Sequence, residues 1–155
     1  MPGGRVLLWS EWGKAPKVSG INGTIERMTK PPKLKFLIVD DSARMRRCIV
    51  DFLPATVETI ECQNGDKALA AFVKHQPDWV LMDIEMKPVD GLAAARQIRA
   101  DWPKAKIVFV TSYDQPRFRE AASQLKVEGY VLKDNLEQIN QIISAASAAK
   151  PTSLL

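Results

Sequence analysis

The sequence predicts an α/β domain built on a parallel sheet, and three observations carry that prediction. Four short runs are largely apolar: residues 34–39, 79–82, 106–110 and 129–132. Runs this short and nearly unbroken suit strands buried on both faces. Longer stretches with apolar residues at helical spacing lie between them, so strands and helices alternate as in βαβ units. Each run also ends on polar residues: Asp40-Asp41, Asp83, Thr111-Ser112 and Lys133. In an open parallel sheet all strand C-termini share one edge, and ligands bind there.

The elements follow in order. The first strand leads to Ser42, a favourable N-cap, and to a helix over 43–53 with Met45, Ile49 and Phe52 on its inner face. Pro54 closes it. Residues 57–62 alternate as a second strand, and Asn64-Gly65-Asp66 turns into a second helix with Leu69, Phe72 and Val73 inward. The third strand runs into Asp83. Asp90-Gly91 opens a third helix, with Leu92, Ala95 and Ile98 inward. Gln115-Pro116 opens the fourth, proline being favourable at a first helical position. Asp134 or Asn135 caps a fifth helix in which Leu136, Ile139, Ile142, Ile143 and Ala146 keep a 3.6 period, and Lys150-Pro151 ends it. The result is (βα)5.

A length of 155 residues suits one domain with a substantial core. No apolar stretch approaches the length needed to cross a bilayer, and Val6-Leu7-Leu8-Trp9 is too short for a signal-peptide core. Cys48 and Cys62 have no metal-ligand spacing, so a cytoplasmic protein with reduced thiols is the plain reading. Residues 1–33 hold six basic and two acidic residues, while the rest holds sixteen of each sign. The basic excess therefore lies in the leader, which argues against a nucleic-acid-binding domain. That leader is rich in Gly, Pro and Lys without lasting periodicity, and is expected to be a poorly ordered basic extension. Trp9 and Trp12 are its one hint of a docking site, and an incidental tail is the plainer reading. Met28 is a possible alternative start. The expected domain is 34–150, with 151–155 as a C-terminal tail.

Three carboxylates, a hydroxyl and an ammonium on one edge can hold a divalent cation and accept a phosphoryl group. One Asp-Asp pair alone is commonly a solvated turn. A third Asp ending another strand makes that less apt, because crowded carboxylates repel unless a cation relieves them. Mg²⁺ fits, since it takes oxygen ligands and shares its shell with phosphate.

With Asp40-Asp41, Asp83, Thr111, Tyr130 and Lys133 in this order, and the loop from Asp83 to Asp90-Gly91, residues 34–150 resemble a response-regulator receiver domain. Such domains are the phospho-accepting half of two-component signalling. The resemblance implies a doubly wound, flavodoxin-like sheet of order 2-1-3-4-5, with the first and third strands adjacent. It implies Mg²⁺ bound directly by Asp41 and Asp83, through water by Asp40, and by the backbone carbonyl of Glu85. It makes Asp83 the phosphoacceptor, with Lys133 and Thr111 as its catalytic partners and Thr111 and Tyr130 as a switch pair. The readout surface would be the fourth helix, fifth strand and fifth helix, with Arg117, Glu120 and Gln124 as exposed partner contacts. The chain departs from the common pattern in three places. Pro88 lies one residue late in the phosphosite loop, Asp134 rather than Pro follows Lys133, and Leu125-Lys126-Val127 stands where many relatives have Ala-Gly-Ala.

His75 is the single histidine and sits late in the second helix, away from the strand-end edge. An exposed helix-end residue is its plain reading. The phosphoryl group is therefore expected from a partner histidine kinase or histidine phosphotransfer protein. The expected function is a stand-alone response regulator that signals to a downstream protein, without nucleic-acid binding or membrane insertion. It would catalyse at most its own phosphorylation and dephosphorylation. Two other readings stand beside it. One is a degenerate receiver acting only as a binding module. The other is a Mg²⁺-dependent phosphatase of the haloacid dehalogenase type. That family needs an Asp two residues after its nucleophile, and after Asp40 that position holds Ser42.

Overall fold

The computed structural model describes residues 32–148. The expected leader, with Trp9, Trp12 and Met28, the end of the fifth helix at Lys150-Pro151 and the tail 151–155 lie outside the described residues. Ten elements alternate: β1 (Lys35–Val39), α1 (Ala43–Phe52), β2 (Glu58–Cys62), α2 (Gly65–His75), β3 (Trp79–Met82), α3 (Gly91–Asp101), β4 (Ile107–Thr111), α4 (Pro116–Gln124), β5 (Gly129–Leu132) and α5 (Glu137–Ala148). The strands form one parallel sheet of order β2-β1-β3-β4-β5, as the resemblance implies.

Strand residues alternate between two cores. Leu37, Val39, Val80, Met82, Ile107 and Phe109 face Phe72, Ala94, Ala95, Ile98 and Ala122 of α2, α3 and α4. Phe36, Ile38, Leu81, Val108, Val110 and Val131 face Ile49 of α1, Ile139 of α5 and Leu136 just before α5. Both faces of the sheet are covered, so its central strands are apolar throughout. Ser42 caps α1 by accepting from the Met45 N–H, and Asp90 caps α3 by accepting from the Ala93 N–H. Pro116 takes the first position of α4.

Two helical faces are rotated from the sequence-based expectation. In α1 the buried residues are Arg46 and Ile49, followed by Leu53, and Phe52 is exposed. The buried spacing is i, i+3, i+7 and takes in an arginine that the expected face left out, while Met45 packs against the core as expected. In α2, Ala68 and Phe72 are buried while Val73 is exposed. Small alanines let that helix approach the sheet, so the buried stripe is narrower than apolarity alone indicates. The fifth helix begins at Glu137, after a turn in which the Asn135 carbonyl accepts from the Gln138 N–H at 3.3 Å. Neither Asp134 nor Asn135 caps it through a side chain recorded among the described residues.

Candidate functional site

The register that pairs Val39 with Met82 puts the next residues, Asp40 and Asp83, side by side. The Asp83 N–H donates to the Val39 carbonyl at 2.9 Å, and the Asp40 N–H donates to the Cys62 carbonyl at 3.1 Å. Asp40 and Asp83 are buried, whereas Asp41 is exposed. One carboxylate oxygen from each of the three lies within 4.8 Å of the others. The edge therefore gathers the acidic group that the strand ends predict.

Lys133, one residue beyond β5, reaches into this group. Its Nζ lies 2.7 Å from Asp40 Oδ2 and 3.1 Å from Asp83 Oδ2. Asp40 Oδ1 accepts from the Ser42 N–H at 2.8 Å, which curls the chain after β1. Asp83 Oδ1 is buried and meets no donor among the described residues. A buried carboxylate oxygen without a donor is costly, and a bound cation is a direct way to satisfy it.

The electrostatics follow from this packing. Burial pushes the Asp83 carboxyl pKa above its ordinary value; the Lys133 ammonium opposes that rise, and the neighbouring Asp40 charge adds to it. Burial of Lys133 disfavours its ammonium, but the Asp40 and Asp83 carboxylates outweigh this and hold its pKa above the ordinary value. The site is one cation among crowded anions, and a second cation fits it.

Glycine holds the loop above the site. Gly91 opens α3 against the end of β3, and a Cβ on it would clash with the Asp83 carbonyl oxygen. Its N–H donates to the Ile84 carbonyl at 2.7 Å. Glu85 is exposed beside them, and no backbone N–H among the described residues reaches its carbonyl. The Lys87–Pro88 peptide is cis and both residues are exposed.

Thr111 ends β4 fully buried. Its Oγ1 accepts from the Tyr113 N–H at 3.3 Å, and the Tyr130 hydroxyl donates to the Tyr113 carbonyl at 2.6 Å. The two predicted switch residues thus hold the same residue of the β4–α4 loop from its two backbone groups. The Tyr130 ring is half-buried under the Arg119 guanidinium, 4.6 Å from its centroid, and burial raises its phenol pKa. Arg119 also pairs with Asp114. Arg117, Glu120 and Gln124 are exposed along α4. His75 is half-buried rather than fully exposed, and it ends α2 just before β3 starts, at the opposite edge of the sheet from the strand C-termini.

Two residues of the site escape a reading by motif. Tyr113 is the first; its backbone is held by Thr111 and Tyr130, and the neighbouring Glu85 carboxylate pushes its phenol pKa up. Arg46 is the second. Its Nη1 donates to the Asp40 carbonyl at 2.7 Å and its Nε to Glu61 Oε2 at 2.7 Å. The helical spacing of Arg46, Ile49 and Leu53 was the available signal for its burial.

Residues 36–145 match the response regulator receiver domain family. The chemotaxis protein CheY of Bacillus subtilis is 32% identical over 117 residues, covering 71% of this chain and 98% of that protein. The regulatory protein AtoC of Escherichia coli is 32% identical over 114 residues, which is 72% of this chain but 25% of AtoC. The chain spans between a quarter and a half of such larger relatives. A solved structure described as a DNA-binding response regulator of the LuxR family, from Staphylococcus aureus, superposes with a TM-score of 0.66 at 28% identity, covering 72% of this chain and 97% of that one. Among the described residues no helix is long and apolar enough to cross a membrane. Sheet order, acidic pocket and family match agree: the chain belongs to the response-regulator receiver family, the phospho-accepting modules of two-component signalling.

Proposed function

We propose that Asp83 is the phosphoacceptor of a stand-alone response regulator, charged by a partner histidine kinase or histidine phosphotransfer protein. The observation that carries this reading is the Asp83 carboxylate itself. One oxygen lies 3.1 Å from the Lys133 ammonium, and the other is buried without a donor beside two further carboxylates.

In the transfer, a carboxylate oxygen of Asp83 forms a bond to phosphorus while the bond from phosphorus to the donor's imidazole nitrogen breaks. The electron pair leaves with that nitrogen, and an acyl phosphate remains. Such a reaction needs in-line positioning and neutralisation of the equatorial oxygens more than covalent assistance. Lys133 supplies one positive charge and the Thr111 hydroxyl one hydrogen-bond donor. Asp40, Asp41, Asp83 and the free carbonyl of Glu85 suit Mg²⁺, which when bound supplies further positive charge against the phosphoryl oxygens. Asp83 works against its own burial: anionic but starved of donors, its carboxylate is less stabilised than a solvated one.

The switch would run through Tyr113. A phosphoryl oxygen competes for the Thr111 hydroxyl, and any shift of Thr111 moves the residue that Tyr130 also holds. Two packings of the β4–α4 loop and α4 would then differ in population. Arg117, Glu120 and Gln124 on α4 are the proposed contacts for the downstream protein. The test is incubation with acetyl phosphate and Mg²⁺, followed by intact-mass measurement and peptide mapping. One added phosphoryl group on Asp83 is expected, with none in the absence of Mg²⁺. Phosphate on another residue, or steady release of inorganic phosphate from unrelated monoesters, would sink the reading.

A further inference from the structure

Asp41 presents a problem of positioning. It is exposed, and no side-chain hydrogen bond or ion pair among the described residues holds its carboxylate, yet that carboxylate lies within 4.8 Å of its two partners. Asp40 is different. Its side chain is held at both oxygens, by the Ser42 N–H and by Lys133. Its N–H is tied into β2 at the Cys62 carbonyl. Asp41 is therefore placed through the backbone on either side of it. The peptide that follows is held where the Ser42 N–H donates to Asp40 Oδ1, and the carbonyl of the peptide that precedes belongs to Asp40. Among the described residues the one donor to this carbonyl is Arg46 Nη1, at 2.7 Å.

Arg46 is well suited to hold it. The side chain is 7% exposed, and the fork is braced on its other arm by Glu61 of β2. A guanidinium can bond two acceptors in fixed geometry, which a single ammonium does less well. Asp40 through its N–H and Glu61 through its carboxylate both attach to β2, so the turn after β1 is clamped to the neighbouring strand from two sides.

Given the cation site proposed above, we infer that Arg46 is a positioning residue that orients the Asp40–Asp41 peptide unit and thereby sets the affinity of the Asp41 carboxylate for Mg²⁺. Groups that orient metal ligands without touching the metal typically alter affinity by about 10–100-fold. Arg46→Ala should then weaken Mg²⁺ binding to the unphosphorylated domain by about tenfold or more, and Arg46→Lys by a smaller factor.

The test is a double-mutant cycle read by calorimetric Mg²⁺ titration. The proteins are wild type, Arg46→Lys, Arg46→Ala, Asp41→Ala and the two combinations, each checked for native amide dispersion. If Arg46 acts through Asp41, its substitution costs no further affinity once Asp41 is Ala. A merely structural arginine would weaken binding equally in both backgrounds, and that result overturns the inference. Wild-type affinity in folded Arg46→Lys and Arg46→Ala also overturns it. Arg46→Lys keeps a donor and a charge, so it decides the matter if Arg46→Ala does not fold. Absence of Mg²⁺ binding in wild type would remove the cation-site reading and this role together. Intact binding in wild type with additive losses removes this role alone.

Discussion

The two ends of the same sheet use carboxylates in opposite ways. At the N-terminal edge, Asp78 accepts from the Lys35 N–H at 2.8 Å, and Glu128 accepts from the Ile107 N–H at 2.6 Å and from Arg99 at 3.2 Å. These acids fasten the starts of β1 and β4, and each has a donor. At the C-terminal edge Asp83 is more deeply buried, yet one of its oxygens has no donor among the described residues. Burial alone does not separate the structural acids from the proposed acceptor. The difference lies in whether the donor set is complete.

The largest effect should come from Asp83→Asn, which removes the nucleophilic anion while keeping the shape. Phosphoryl incorporation should be lost. Stability should move the other way. Because the native pKa of Asp83 is raised, the native state binds more protons than the unfolded chain between the two pKa values, so wild-type stability falls as pH rises through that window. In metal-free buffer the variant should be more stable at pH 7. Its advantage should shrink as pH falls toward the ordinary Asp pKa of about 3.9. Denaturant titrations at both pH values check this, and an advantage independent of pH would mean that ionisation is not its source.

Thr111→Ala should come next. The variant should still accept phosphate on Asp83 but not pass the change to the loop that Tyr113 anchors. Amide exchange across residues 112–133, with and without acetyl phosphate, reads the outcome. The same phosphorylation-induced shift in wild type and variant would disconnect Thr111 from the switch.

At the opposite edge, Glu128→Ala orphans the buried Ile107 N–H, at a cost of about 1–3 kcal/mol. Phosphorylation should proceed at the wild-type rate. A stability loss without a kinetic one sharpens the contrast between the edges, and a slowed phosphorylation would blur it. The smallest effect is expected at Lys126, which follows α4 with φ of 52°. Glycine relieves that left-handed strain at some cost in unfolded-state entropy, so Lys126→Gly should stabilise by about 0.5–1 kcal/mol, measurable as a shifted denaturant midpoint.

The sheet was legible because its central strands are buried on both faces, and a short run that is apolar throughout suits few environments besides that one. The strand order came from resemblance rather than pattern, and the structure has the same order. Asp40, Asp41, Asp83, Thr111 and Lys133 were legible because each ends or closely follows an apolar run. Arg46 and Tyr113 were not, because their roles run through backbone carbonyls and amides, which leave no mark in the side-chain pattern. Phe52 and Val73 misled for a related reason. An apolar residue at helical spacing can fall just outside the buried stripe when a neighbouring arginine or alanine makes the closer contact.

Gly91 has a mechanical consequence. The helix it opens is pressed against the Asp83 carbonyl so closely that no side chain fits between, and Ala94, Ala95 and Ile98 anchor the rest of that helix. On the other flank α4 buries Ala122 alone, and its first turn has no side-chain cap. β3 therefore has one closely packed helix beside it and another that buries less. If Asp83 takes up a phosphoryl group as proposed, displacement at the strand end should fall on α4 rather than α3, so the more shallowly packed side would set the direction in which a signal leaves.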